Sequence, residues 1–184
     1  SSDVCSSDLD PARLETVAPA RSRLEQQARV LAEALPGSSG ALPGIVEVGR
    51  TLPPKRGRNA GGLLAEPEPY LITEWPRGWP LTDVGFRFSV SDAAALILGL
   101  GFAMQALHDN GWVHTELCPG NVAIDTDVLR LGIRSMANVE PVGAAGVTRA
   151  SGPFSAPELE GGCGIDPRID VFSLGRLLPR LLCG

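Results

Sequence analysis

Residues 113–121 read Val-His-Thr-Glu-Leu-Cys-Pro-Gly-Asn, and they lie between a long apolar helix signal and a short strand signal. Ser91 followed by Asp92 is a good N-cap for the helix, and Asn110-Gly111 is a typical stop. The strand that follows is Val122-Ala123-Ile124. A histidine, a carboxylate, a thiol and an amide thus share one short loop at a helix–strand junction, where chemistry-bearing side chains can be held by a rigid frame.

The order of these residues resembles the catalytic loop of protein kinases, whose pattern is His-Arg-Asp-Leu-x-x-x-Asn with Lys-Pro inside it. His114, Leu117, Pro119 and Asn121 match, while Thr115, Glu116 and Cys118 stand where Arg, Asp and Lys are expected. Four further segments resemble the same family in its order. Leu42-Pro43-Gly44-Ile45-Val46 resembles the turn from the αC helix into the next strand. Tyr70-Leu71-Ile72-Thr73-Glu74-Trp75 resembles the strand leading into the hinge. Ala156-Pro157-Glu158 matches the motif that closes an activation segment. Asp170-Val171-Phe172-Ser173-Leu174-Gly175 resembles the start of the buried helix behind the loop.

The resemblance implies an α+β, protein-kinase-like two-lobe fold, present in part. It runs from αC to strand 5 of the small lobe, then through the helical large lobe up to the Asp170 helix. Residues 10–74 are expected to form the partial small lobe, 75–80 the hinge, and 81–184 a truncated large lobe. Residues 1–9 resemble a translated sequencing adapter and are set apart from the fold.

Composition adds bounds. A hydrophobic content of 43% suffices for one core, and a net charge of −5 without a basic stripe speaks against a nucleic-acid partner. The longest apolar run, 93–107, is too short to span a bilayer, so no membrane segment is expected. Cys5, Cys118, Cys163 and Cys183 form no metal or disulfide pattern, which fits a reducing cytoplasm. The 15 arginines against one lysine, Lys55, suggest a GC-rich bacterial coding sequence.

Local patterns predict an amphipathic helix over 23–35 ended by Pro36-Gly37, and strands at 45–48 and 70–74. A loop is expected over 51–62, and a hairpin pairs 122–125 with 128–131. Trp75 and Trp79 are expected to wedge the lobes together, and Gly99-Leu100-Gly101 to allow close helix packing rather than phosphate binding. Residues 143–152 read as a flexible activation segment. The last helix should start at Asp170 and kink or end near Pro179, which cannot donate a backbone hydrogen bond.

Phosphoryl transfer needs positioned phosphates, metal ions and a carboxylate that orients the nucleophile. By resemblance, Glu25 is the candidate αC glutamate, with a surface pair to Arg29 as the alternative. Its lysine partner is missing, since Lys55 falls in the loop after αC. Thr73, Glu74 and Trp75 stand at the gatekeeper and hinge positions. The metal-binding aspartate of Asp-Phe-Gly falls on Ile133, or in a competing frame on Arg130, and no Asp or Glu occurs between Asp127 and Glu140. Asn121 is then left as a single neutral ligand, better suited to bonding the loop backbone. Glu116 keeps a carboxylate at the catalytic position but about 1 Å too far out, a misplacement that costs roughly 10²-fold. Cys118 removes the loop cation, at about 10²–10³-fold by analogy with oxyanion donors.

His114, Glu158 and Asp170 are expected to be architectural. Asp170 should anchor the loop backbone, Glu158 should await an arginine beyond Gly184, and His108 should pack or cap. These readings imply a pseudokinase that binds a protein partner or substrate, or regulates a kinase. ATP and Mg²⁺ would be bound weakly or not at all. The alternative is an active Ser/Thr protein kinase with Glu116 as base, using ATP and Mg²⁺. A small-molecule phosphotransferase ranks third, because Ala156-Pro157-Glu158 favours the protein kinase branch.

Overall fold

The computed structural model describes residues 11–37, 40–51, 69–145 and 152–184. Helix α1 (Pro11–Ala34) runs into a 3-10 turn at Leu35–Gly37, so proline and glycine stop it where the sequence predicts. It begins twelve residues earlier than the 23–35 periodicity suggests. Val30, Leu31 and Ala34 are fully buried and press this face onto β1 (Ile45–Arg50) and β2 (Pro69–Thr73). The two strands pair antiparallel with Val48 opposite Leu71. Of the loop expected over 51–62, all but Thr51 lies outside the described residues.

The chain then crosses to the larger helical part. Residues 79–80 of the expected hinge form β3 (Trp79–Pro80), which joins β5 (Val122–Asp125) and β6 (Arg130–Ile133) in the order β3-β5-β6. Gly78 makes this crossing possible. Its φ is 94°, and a Cβ there would stand 1.9 Å from the Ile124 carbonyl oxygen. The hairpin's second strand starts at Arg130 rather than Val128, because residues 126–129 form the turn and Leu129 takes a left-handed φ of 50°.

Helix α2 (Val90–Asp109) is capped by Ser89, whose hydroxyl accepts the Asp92 N–H at 3.1 Å. The cap therefore lies two residues before the expected Ser91. Asn110 and Gly111, with φ 78°, close the helix as expected. At 20 residues it is long and apolar enough to cross a membrane by length and composition, unlike the 93–107 run alone. Its Leu96, Leu100, Met104 and Leu107 are buried in the protein core, against β6 and α4 (Arg168–Cys183). Gly101 only touches Leu174 and Gly99 faces open space, so close helix packing does not explain this pair.

Two short strands, β4 (Trp112–Val113) and β7 (Glu140–Pro141), pair antiparallel around the loop and were not legible as periodicity. Part of the segment 143–152 lies outside the described residues. The short helix α3 (Pro157–Glu160) follows it.

Helix α4 passes through Pro179 without ending there. Proline deletes one hydrogen bond, to Gly175, while burial of Leu177 and Leu181 and the bond from Phe88 N–H to the Leu181 carbonyl (3.0 Å) hold the final turn. One core of buried side chains links Leu31 and Leu42 of the first part to Leu100, Ile124, Ile133 and Leu177 of the second. A smaller cluster of Val113, Ala156, Leu159, Ile165 and Ile169 lies beside it.

Candidate functional site

The loop between β4 and β5 is held from below by one buried carboxylate. Asp170, in the first turn of α4, accepts the backbone N–H of His114 at 2.8 Å and of Thr115 at 2.9 Å. His108 at the end of α2 contacts the same carboxylate at 2.9 Å through Nε2. Three donors compensate a charge that burial alone would penalise by several kcal/mol. They also impose backbone strain. Thr115 has φ 64°, a left-handed conformation that costs a β-branched residue about 1–3 kcal/mol. Its hydroxyl donates to the Asn138 carbonyl, a second tether on the same residue.

His114 is buried, and its Nε2 lies 2.8 Å from the Ser135 carbonyl, which can only accept. Nε2 therefore carries the proton, and Nδ1 accepts the Glu116 N–H at 3.3 Å. Burial pushes the imidazole below the usual histidine range, opposed by the nearby Asp170 and Glu116 carboxylates and the Ser135 bond. With both nitrogens occupied in the neutral ring, His114 joins two backbone segments and has no proton to exchange with a ligand.

Glu116 points outward and its carboxylate receives the Asn138 side-chain amide. Asn121 donates to the Glu116 main-chain oxygen at 3.1 Å, so its amide braces the loop. Cys118 is half-buried at the start of the Pro119–Asn121 turn. Glu158 lies on α3, where its carbonyl accepts the Cys163 N–H at 3.3 Å.

The residues after β5 offer little to a metal ion. Ile133 is fully buried in β6, its N–H bonded to the Ala41 carbonyl at 2.7 Å, and Arg130 begins the same strand, exposed. Neither frame for the metal aspartate yields a carboxylate. Among the described residues, no group of three or more His, Cys, Asp or Glu side chains converges. One carboxylate held by Asn138 and one amide oxygen do not make the oxygen-rich octahedron that Mg²⁺ prefers, so this donor set does not fit the ion.

A cation stands nearby instead. The Arg134 N–H bonds the Asn121 carbonyl at 2.9 Å, and Nη1 bonds the Gly120 carbonyl at 3.0 Å. The guanidinium carbon lies 4.7 Å from the centre of the Trp75 ring. Trp75 and Trp79 are 68% and 67% exposed, so neither wedges the lobes as expected. Sequence reasoning passed over Arg134 because it appeared only as a mismatch to phenylalanine in a motif frame.

On the first part, Glu25 faces outward and pairs with Arg50 on β1 at 3.7 Å, with both side chains exposed. Its expected alternative partner, Arg29, pairs with Glu33 at 2.8 Å. The helix face turned toward the site carries Leu24, Gln27 and Leu31, which line a cavity of about 130 Å³ with Thr73, Arg134 and Ser135. Gln27, four residues before the buried Leu31, is thus an α1 polar group on that face, and Glu25 is displaced from it by helical rotation. Glu74 and Trp75 border a second cavity of about 400 Å³ with Arg77, Asp125, Arg130 and Gly132. Pro76, between Trp75 and Arg77, offers no backbone donor.

Comparisons with known proteins agree with this architecture. The DNA damage-responsive serine/threonine-protein kinase RqkA of Deinococcus radiodurans is 29% identical over 173 residues, 89% of this chain and 24% of the relative. Serine/threonine-protein kinase Pkn1 of Myxococcus xanthus is 34% identical over 64% of this chain and 18% of its own length. Serine/threonine-protein kinase PknA of Mycobacterium tuberculosis is 32% identical over 58% and 26%. The chain spans about a quarter or less of the curated relatives it matches. The solved structure of the Cydia pomonella granulovirus kinase PK-1 superposes with a TM-score of 0.68 at 18% identity, covering 86% of this chain and 54% of that one. No protein-family model matches. The chain is a partial protein-kinase-like domain with mixed helices and sheets, and its curated relatives are bacterial serine/threonine-protein kinases.

Proposed function

We propose that this protein-kinase-like domain does not transfer phosphate and works by binding, holding a protein partner or substrate or regulating a linked or separate kinase. Residues 10–74 and 81–184 serve as its two partial lobes, joined at 75–80. The observation that carries the reading is the stretch from 128 to 139, which holds no carboxylate and buries Ile133 where a metal ligand belongs. Charge neutralisation by metal ions is central to phosphoryl transfer, so this deficit outweighs the longer arm of Glu116 and the loss of a cation at Cys118. His114, Asn121 and Asp170 then serve the loop's shape, and Glu158 the segment that closes on α3. Thr73, Glu74 and Trp75 line the passage between the parts without the backbone donor that Pro76 lacks. The free thiols of Cys118, Cys163 and Cys183 and the bacterial relatives fit a cytoplasmic protein.

The test is transfer of labelled phosphate from Mg²⁺-ATP to a generic protein substrate. None is expected from the chain or from Glu116→Asp. Transfer that appears only when Glu116→Asp, Cys118→Lys and Ile133→Asp are combined, in a variant that still melts cooperatively, would support the reading. Clear transfer by the unmodified chain, or a hundredfold rise in Glu116→Asp alone, would overturn the reading. One observation favours the active alternative: Glu116 is exposed and keeps a carboxylate on the loop. In that case Glu116→Gln must abolish a measurable transfer.

A further inference from the structure

Ile133 and Arg134, at the end of β6, form a node between the two parts of the fold. The Ile133 N–H bonds the Ala41 carbonyl at 2.7 Å, before β1, and the Arg134 N–H bonds the Asn121 carbonyl at 2.9 Å, on the loop. The Arg134 side chain spans the same junction. Its Nη1 donates to the Gly120 carbonyl at 3.0 Å, and its guanidinium carbon lies 4.7 Å from the centre of the Trp75 ring. Two consecutive residues thus reach the first part, the loop and the 75–80 connection. Trp75 is 68% exposed, so no core holds its ring in place. A guanidinium can lie on an aromatic face and donate to a carbonyl at the same time, and it stays charged at any working pH. The cavity that Arg134 lines measures about 130 Å³. Ordinary small-molecule sites measure about 300–1,000 Å³, so the contact leaves little room for a ligand. Away from Trp75, Gln26 donates to the Val139 carbonyl at 2.7 Å and Trp112 to Glu33 at 3.0 Å, which seats α1 on the β4–β7 pair.

We propose that Arg134 is a latch that fixes the two parts of the fold to each other with no ligand bound. Clasping Trp75 to Gly120 keeps the connection and the loop in register, while the α1 contacts hold the other side. Releasing it lets the parts shift about residues 75–80. The latch deepens the binding reading above and rests on it, since latched lobes present a preset surface to a protein partner and need no nucleotide to assume it.

The test is amide hydrogen exchange of the full chain, read at four amides that bond across or beside the junction: Glu74 to Gly44, Asn121 to Cys118, Ile133 to Ala41 and Arg134 to Asn121. The α4 amides around the buried Leu177 report global unfolding. Arg134→Gln should speed exchange at the four amides about tenfold and leave α4 unchanged, the scale of a lost charge-assisted bond and cation–π contact. Trp75→Leu should act in the same direction to a lesser degree. Trp75→Phe, which keeps a π-face, should retain most of the protection. Arg134→Gln combined with Trp75→Leu should exchange no faster than Arg134→Gln alone, because both lesions open one latch. ATP, with or without Mg²⁺, should leave the protection of the unmodified chain unchanged. Unchanged exchange in a folded Arg134→Gln, acceleration spread equally over α4, additive lesions, or protection that rises with ATP would each overturn the proposal. Failure of the non-catalytic reading is seen separately, as phosphate transfer in Mg²⁺.

Discussion

Replacing Asp170 by alanine removes the fixed point of the loop. The carboxylate is 0% exposed and receives two backbone N–H groups and His108. Hydrogen bonds to a charged group contribute about 1.5–3 kcal/mol each, so the two backbone bonds together hold roughly 3–6 kcal/mol. Part is returned when Thr115 leaves its left-handed φ, worth about 1–3 kcal/mol. The net loss expected is about 2–3 kcal/mol after this relief. With a urea slope of about 2 kcal/mol/M, the unfolding midpoint should fall by roughly 1–1.5 M at unchanged slope. Asp170→Asn keeps one acceptor but turns its amide toward a donor, and should lose about half as much by the same bond arithmetic. Thr115→Gly should couple to Asp170→Ala by more than about 0.5 kcal/mol, because the two residues share one strained backbone. A midpoint within about 0.3 M of the wild type for Asp170→Ala would refute the anchoring argument.

Other substitutions test other parts of the fold. The buried neutral His114 has its pKa lowered, so the unfolded chain binds the extra proton as pH falls below about 6.5, and stability should drop by up to about 1.4 kcal/mol per pH unit until the folded ring titrates. Urea melts at pH 7.5 and 5.5 should show this slope and His114→Gln should flatten it; an unchanged slope would show that the titrating group lies elsewhere. Gly78→Ala should cost more than about 3 kcal/mol or prevent folding, since its Cβ cannot share space with the Ile124 carbonyl, and a wild-type melting temperature would contradict this. Pro179→Ala should stabilise α4 by up to about 3 kcal/mol in thermal or urea melts, unless the missing Gly175 bond carries no strain. Ile133→Asp alone should destabilise by several kcal/mol, because it buries a carboxylate inside β6, and an unaffected melt would mean the strand can open there.

The large elements were legible because their signals are local. Pro36-Gly37 ends α1, Asn110-Gly111 ends α2, and the apolar run between Ala93 and Leu107 becomes helix, one face of it buried while Leu98 and Phe102 stay exposed. The short β4 and β7 strands were not, because two residues carry no period and their pairing joins positions far apart in sequence. Pro179 misled because propensity counts one lost hydrogen bond, while burial of Leu177 and Leu181 decides the outcome. At the site, motif matching picked out Glu116 and Asn121 on the loop and the buried Asp170 that bonds its backbone, whereas Glu25 faces outward and pairs with Arg50. An acidic residue at about the right separation drew attention to Glu25, whereas helical phase from the buried Leu31 points to Gln27. Arg134 could have been found by asking which cation falls where acid is missing.

The loop's shape and its chemistry rest on different side chains. Its path is set by Asp170 against the backbone at 114 and 115, by His114 bridging to Ser135, and by Asn121 bracing Glu116 from below. None of those contacts needs a metal ligand after β6 or a short carboxylate at 116. The chain can therefore keep a kinase-like loop while the strand beside it buries Ile133 for packing and the next residue, Arg134, sets its guanidinium on Gly120 and Trp75. Restoring the acid at 133 would set charge against the core that now stabilises β6. The packing of this strand and a metal-bearing site thus place opposing demands on the same position.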